Sequence, residues 1–77
     1  MKEFSIAIHS FQEVQDFIGV ATIQPFSVMV GNDVQLVNAK SFIGMVSLDY
    51  SRPLKVLCDC DSDGFQNFQN QASRFLA

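Results

Sequence analysis

Apolar and polar positions along the chain follow two different spacings. Alternation of apolar and polar residues is typical of a half-buried β-strand. This pattern predicts strands over residues 3–9, 26–30, 34–37 and 54–60. Each of these strands would place one apolar face against a core and leave the other face in contact with water.

Helical spacing begins directly after the first predicted strand. Ser10 and Glu13 form a capping box, in which the serine hydroxyl accepts from the amide of Glu13 and the glutamate reaches back to the amide of Ser10. Apolar residues then recur at helical spacing from Phe11 onward, which predicts a helix over residues 11–22 with Phe11 on its apolar face. Pro25 prevents the helix from continuing.

Two further helices are predicted later in the chain. Ser41 is placed to cap a short helix over residues 42–48, whose Met45 and Leu48 lie three positions apart and face the core. A final amphipathic helix follows the polar break at residues 61–64, where acidic groups suit a helix N-terminus. Its apolar face consists of Phe65, Phe68, Ala72 and Phe75.

The resulting order of elements, βαββαβα, predicts an α+β fold of two layers. A chain of 77 residues forms one domain, here spanning residues 1–77. Strands 26–30 and 34–37 form a hairpin around the turn signal Gly-Asn-Asp at 31–33. We therefore expect an open-faced sandwich, with a four-stranded sheet covered on one face by three helices.

Charge and composition exclude several classes of function. The net charge is −3, and the five basic side chains are scattered along the chain, which argues against binding to nucleic acid or to anionic lipid surfaces. No apolar run is long enough to cross a bilayer, and the N-terminal segment lacks the pattern of a signal peptide. The expected location is the cytoplasm.

The sequence offers few groups with chemistry of their own. Cys58 and Cys60 lie two apart on the same predicted strand face, and they are interpreted as small apolar core residues. A Cys-x-Cys pair with His9 as the only histidine falls short of a zinc site, so no metal or other cofactor is expected. The acidic residues 59, 61 and 63 lack the rest of a calcium-binding loop and are interpreted as solvated charges.

One segment resembles a known protein family. Residues 38–48 read N-A-K-S-F-I-G-M-V-S-L. They are similar to the regulatory-serine segment of HPr, the phosphocarrier of bacterial sugar phosphotransferase systems, which reads N-A-K-S-[IL]-[MF]-G-[LV]-[ML]-S-L. The chain length and the βαββαβα order also agree with that family, so the resemblance implies an HPr-like fold.

The second HPr motif is absent. HPr proteins carry G-L-H-[AT]-R-P-A at the start of their first helix, and its histidine accepts phosphate from Enzyme I. Aligning residues 17–21 with the family places Ser10 at the histidine position, with His9 one place earlier. Gln12 replaces the arginine and Glu13 the proline, so a phosphorylated imidazole would lose a cation and gain a repelling carboxylate. The resemblance therefore implies that carrier activity is absent or poor.

The resemblance assigns roles to the short helix. Ser41 is a helix cap from its spacing alone, and by resemblance it is also the serine that HPr kinase phosphorylates. The exposed pair Ile43 and Val46, joined by Phe42, corresponds to a patch on which partner proteins dock. Expected partners are therefore HPr kinase, Enzyme I or a transcriptional regulator.

Three functional hypotheses remain open on the sequence. The leading one is a non-catalytic HPr-like regulatory or adaptor protein whose docking is switched by phosphorylation of Ser41. The second is an active phosphocarrier that uses His9 in a shifted register. The third is a structural or oligomer-forming domain, such as a homodimer, that has lost both phosphorylation roles.

Overall fold

The computed structural model describes all 77 residues, and their order of elements is βαββαβα. The elements are β1 (Lys2–Ile6), α1 (Phe11–Thr22), β2 (Val28–Gly31), β3 (Leu36–Asn38), α2 (Phe42–Val46), β4 (Leu54–Cys58) and α3 (Ser62–Gln71). A single 3-10 turn, Ser73–Phe75, follows α3. The predicted α+β architecture is confirmed, and α1 matches its predicted bounds.

The four strands form one antiparallel sheet in the order β1-β4-β2-β3. Strand β4 therefore lies between β1 and β2. Helix α1, which joins β1 to β2 in sequence, crosses over β4. At the centre of the sheet, Val56 pairs with Phe4 on one side and with Val30 on the other. The start of α1 lies beside α2, where the rings of Phe11 and Phe42 meet edge to face.

The core lies between the sheet and the three helices. Seventeen buried apolar residues form one cluster, and several of its aromatic rings pack edge to face. The ring of Phe17 from α1 lies 5.4 Å from Phe75, and the ring of Phe4 from β1 lies 5.4 Å from Phe68 of α3. Such contacts add to the stabilisation from burying aromatic area. Met45 and Leu48 are buried as predicted.

Strand β1 is shorter than predicted. Its pairing with β4 ends at Ile6 opposite Leu54, because β4 is preceded by Pro53 and offers no further partner. Ile8 is still buried, although it lies beyond the ladder. At the other end of β4, pairing stops at Cys58 instead of residue 60.

The β2–β3 hairpin turns later than its sequence pattern predicts. The side chain of Asn32 accepts hydrogen bonds from the amides of Val34 (2.8 Å) and Gln35 (2.9 Å). These bonds hold residues 32–35 in the turn, so Val34 is 93% exposed and β3 starts only at Leu36. The strand predicted over 34–37 is therefore displaced to Leu36–Asn38.

The short and final helices also end earlier than predicted. In α2, the hydroxyl of Ser47 donates to the carbonyl of Gly44 (2.6 Å), and the helix stops at Val46. Helix α3 stops at Gln71, and the following 3-10 turn carries Phe75 into the core against α1. None of the helices combines the length and apolar character needed to span a bilayer.

Candidate functional site

Helix α2 presents Ser41 at its N-terminus. The backbone of Ser41 is extended, and its Oγ accepts a hydrogen bond from the amide of Gly44 at 3.3 Å. A side chain added at Gly44 would place its Cβ 3.2 Å from the Cβ of Val37. Glycine therefore lets the helix lie close to β3 while its amide reaches the serine. The predicted capping role of Ser41 is confirmed, and its side chain is half-buried.

An exposed apolar patch adjoins this serine. Ile43 is 80% exposed and Val46 40%, in line with their spacing on the side of α2 away from the core, and Phe42 is 48% exposed. Phe11 belongs to the same patch, because its ring lies 6.0 Å from that of Phe42 at an interplanar angle of 89°. We call these four residues the apolar patch.

The position of Phe11 corrects a prediction from the sequence. Its helical spacing had placed it on the core face of α1, but it is 58% exposed. Phe11 is the first residue of the helix, and Val14 and Phe17 fill the core beneath α1. The sequence could not indicate this position, because no local pattern shows that α2 lies beside the N-terminus of α1.

The N-terminus of α1 carries the two candidate phosphate acceptors of the sequence. Ser10 caps the helix, with its Oγ accepting from the amide of Glu13 at 3.2 Å. The carboxylate of Glu13 accepts from the amide of His9 at 3.0 Å, instead of the predicted amide of Ser10. Both His9 and Ser10 are exposed. A negative charge therefore lies beside the position that corresponds to the HPr histidine.

A groove of about 530 Å³ joins this helix end to α2. Its lining residues are Ile8, His9, Ser10, Phe11, Val14, Val46, Tyr50 and Ser51. Five of the eight are hydrophobic and none is Lys or Arg. The structure thus brings His9 and Ser10 together with part of the apolar patch, whereas Ser41 lies outside the groove lining.

Tyr50 forms a fixed part of the groove wall. Its hydroxyl donates to the carbonyl of Met45 at 2.5 Å, and burial raises the pKa of Tyr50 to about 12. The phenol therefore stays protonated at neutral pH and remains a donor within the domain. Sequence spacing did not indicate this contact, because Tyr50 lies in the loop after α2.

No basic side chain lines the groove, and Arg74, which contacts α1, is engaged elsewhere. Arg74 pairs with Asp16, one turn beyond the N-terminus of α1, and its guanidinium lies 4.6 Å from the Phe75 ring centroid. Gln12, at the position of the family arginine, donates to Asp16 at 3.0 Å. The groove therefore provides no arginine or lysine to stabilise a phosphorylated side chain.

The cysteines and acidic residues do not form a second site. Burial is the main factor that raises the pKa of Cys58 to about 12, and burial followed by the charge of Asp61 raises the pKa of Cys60. Both thiols are therefore poor nucleophiles at neutral pH. Asp61 caps α3 by accepting from the amide of Gly64 at 2.8 Å. No group of three or more His, Cys, Asp or Glu side chains is placed to hold a metal ion.

Comparison with known proteins defines the class of fold. Neither a protein-family model nor a curated protein matches the sequence. Among solved structures, the crystal structure of HPr-C-His from Thermoanaerobacter tengcongensis matches with a TM-score of 0.72 and 26% sequence identity. The match covers 91% of this chain and 89% of the other. The domain therefore has the HPr-like fold.

The match also relates the chain to the phosphocarriers that have this fold. It extends over nearly the full domain. The chain is an HPr-like protein related to phosphocarriers. Its identity of 26% to that HPr structure means that many individual positions differ. Its divergence at Ser10 and Gln12 concerns the histidine motif, whereas the segment around Ser41 keeps the pattern of the family.

Proposed function

We propose that this chain is an HPr-like regulatory or adaptor protein of a sugar phosphotransferase system, acting in the cytoplasm by docking to other proteins. The observation that supports this proposal most directly is the apolar patch beside Ser41. Four large apolar side chains are exposed together next to a hydroxyl that can be modified. Contiguous exposed apolar surface on a small domain is typical of a protein-binding site.

The composition of the apolar patch favours a protein partner. Two of its four members are aromatic, and aromatic side chains are enriched among residues that dominate binding energy. None of its members is charged, so docking would not require the desolvation of a carboxylate or an ammonium group. We propose HPr kinase and a transcriptional regulator as the partners.

Phosphorylation of Ser41 would switch this docking. The γ-phosphoryl group of ATP would move to Oγ of Ser41, the bond to the bridging oxygen would break to release ADP, and the hydroxyl proton would pass to a base of the kinase. The product would carry up to about two negative charges beside Phe42 and Ile43. A partner that buries the apolar patch would then either pair this charge with a cation or be repelled.

We propose that phosphohistidine carrier activity is absent. Stabilising the anion needs positive charge near the acceptor, and the groove lining contains neither Lys nor Arg. Ser10 stands at the position of the family histidine, and a phosphate ester there would be a poor donor to a sugar transporter. The carboxylate of Glu13, which accepts from the amide of His9, adds a repelling charge beside this position.

Replacing Ser41 by alanine tests the regulatory role. We expect Ser41→Ala to abolish labelling by HPr kinase and ATP, and to cost about 1 kcal/mol of stability through loss of the helix cap. Ser47→Ala is the matched control, because this serine lies at the other end of the same helix. Intact-mass analysis measures labelling, and circular dichroism confirms folding. Undiminished labelling of Ser41→Ala would exclude the proposed site.

A phosphocarrier that uses His9 is the second candidate. One observation favours it, namely that the side chain of His9 is exposed at the N-terminus of α1 and lines the groove. It predicts acid-labile, alkali-stable phosphate after incubation with Enzyme I and phosphoenolpyruvate. His9→Gln should remove that label, whereas a wild-type protein that takes up no label would exclude this candidate.

A further inference from the structure

The turn that precedes Ser41 is held in place by its own backbone and by β2. The backbone carbonyl of Asn38 accepts from the amide of Ser41 at 3.0 Å, and its side-chain Oδ1 accepts from the amide of Lys40 at 2.9 Å. Ala39 is fully buried, and its amide donates to the carbonyl of Val28 at 2.9 Å. These bonds hold the turn together and against β2, but none of them connects it to α1.

The side chain of Lys40 connects this turn to a distant helix end. Its Nζ donates to the carbonyl of Gln24 at 2.8 Å, across sixteen positions of sequence. Gln24 follows Ile23, the C-cap of α1, and a lysine ammonium is favourable near the C-terminus of a helix. Lys40 is half-buried and has no carboxylate oxygen within 4.0 Å, so the carbonyl is the partner that the structure assigns to it.

The accepting carbonyl belongs to a residue whose side chain is buried and hydrogen-bonded. The side chain of Gln24 is buried and donates to the carbonyl of Val20 (2.9 Å) and to the side chain of Gln71 in α3 (2.5 Å). The end of α1 is thereby tied to α3, and Lys40 ties both of them to the turn before Ser41.

We propose that Lys40 is a positioning residue for Ser41, which it serves by fixing the turn against the C-terminus of α1. This inference rests on the proposed phosphorylation of Ser41. Phosphoryl transfer depends on in-line placement of the accepting oxygen, and a displacement of about 1 Å lowers its rate up to about a hundredfold. Lys40 would raise the rate of phosphoryl transfer by fixing the position of the Ser41 Oγ, without contacting ATP or the kinase.

The first test compares two substitutions at position 40 as substrates of HPr kinase. Lys40→Met removes the donor and keeps most of the apolar stem, and we expect kcat for Ser41 to fall about tenfold to a hundredfold, with KM changed by less than about threefold. Lys40→Arg can still donate to the carbonyl and should restore most of the rate. A rise in KM alone would instead indicate direct contact between Lys40 and the kinase, and would overturn the proposal.

A second variant separates positioning from direct recognition. Asn38→Ala removes the side-chain acceptor in the turn and leaves Lys40 chemically intact, so it should reproduce the loss of kcat. A normal rate in Asn38→Ala together with a slow rate in Lys40→Met would contradict a role through the turn.

Amide hydrogen exchange decides the inference even if the kinase fails to label the wild-type protein. In Lys40→Met, exchange at the amides of Ser41 and Gly44 should accelerate at least about tenfold, because their acceptors lie in the loosened turn. The amide of Gly64, which donates to the cap residue Asp61 at the start of α3, is the internal control, and its exchange rate should not change. Unchanged exchange at Ser41 and Gly44 would overturn the inference, whereas absent labelling of the wild-type protein would contradict only the proposed function.

Discussion

At the scale of single residues, the two serines that cap helices differ in their surroundings. Ser10 caps α1 beside the carboxylate of Glu13, and its groove lacks a basic lysine or arginine. Ser41 caps α2 beside the apolar patch and follows a turn that Lys40 anchors. The same local hydrogen bond thus serves two positions. Ser10 is exposed beside a carboxylate, whereas Ser41 is half-buried and is followed directly by the apolar residues of α2.

Gly19 provides a prediction at this scale. It lies exposed within α1, and a Cβ added there would meet nothing within 4 Å. Gly19→Ala should therefore stabilise the domain by up to about 1 kcal/mol, since glycine is a poor helix former. Urea unfolding followed by circular dichroism measures the change.

Gly31→Ala is the matched control for that substitution. Its Cβ would lie 2.1 Å from the carbonyl oxygen of Gln35, so this variant should be destabilised. A loss of stability in Gly19→Ala would show that the exposed face of α1 is more constrained than its surroundings indicate.

At the scale of elements, sequence patterns predicted the existence and order of every helix and strand but not all of their ends. Caps formed by side chains close in sequence were predictable, which is why Ser10 and Ser41 both mark true helix starts. The acidic break at 61–64 marked the start of α3 without identifying Asp61 as its cap. Strand ends depend on where the partner strand stops, as at Ile6, and on turn contacts such as those of Asn32. These contacts have no signature in local hydrophobic periodicity.

The surface of α2 yields a prediction on binding. Phe42 is half-exposed and its ring contacts Phe11, so Phe42→Ala should weaken docking of HPr kinase, with KM rising about 10- to 30-fold. Ile23→Ala is the matched control, because Ile23 is 70% exposed but lies at the opposite end of α1. Equal KM values for both variants would contradict docking at the apolar patch.

At the scale of the whole molecule, the resemblance of residues 38–48 and the order of elements were enough to predict the HPr-like fold. The candidate site was only partly predictable. Ser41, Phe42, Ile43 and Val46 were identified correctly as cap and exposed surface. The participation of Phe11, the groove that includes Tyr50 and the contact of Lys40 with α1 depend on packing between distant segments, which a single sequence does not show.

The contact between α1 and the C-terminal turn makes stability depend on acid pH. Hydrogen bonds from Gln12 and then from Arg74 lower the pKa of Asp16 in the folded state below its ordinary value of 3.8. A carboxylate with a lowered pKa stabilises the fold above its unfolded pKa, and this stabilisation disappears as the pH falls through the folded value. The wild-type protein should therefore lose this contribution below about pH 4.

Asp16→Asn tests this dependence through thermal unfolding between pH 2 and 7. The variant should be less stable than the wild-type protein at neutral pH, and the difference should shrink as the pH falls. Arg74→Met keeps the hydrogen bond from Gln12 and should lose only part of the acid dependence. A constant difference between Asp16→Asn and the wild-type protein across this range would show that the ionised carboxylate makes no such contribution.

Phosphorylation by the two donors of the family, run in parallel with intact-mass readout and site mapping, tests the central claim most directly. One reaction contains HPr kinase and ATP, and the other contains Enzyme I and phosphoenolpyruvate. We predict one acid-stable phosphate on Ser41 in the first reaction and no phosphate in the second. An acid-labile phosphate on His9, or an absence of label on Ser41, would contradict an HPr-like regulator that has lost its carrier function.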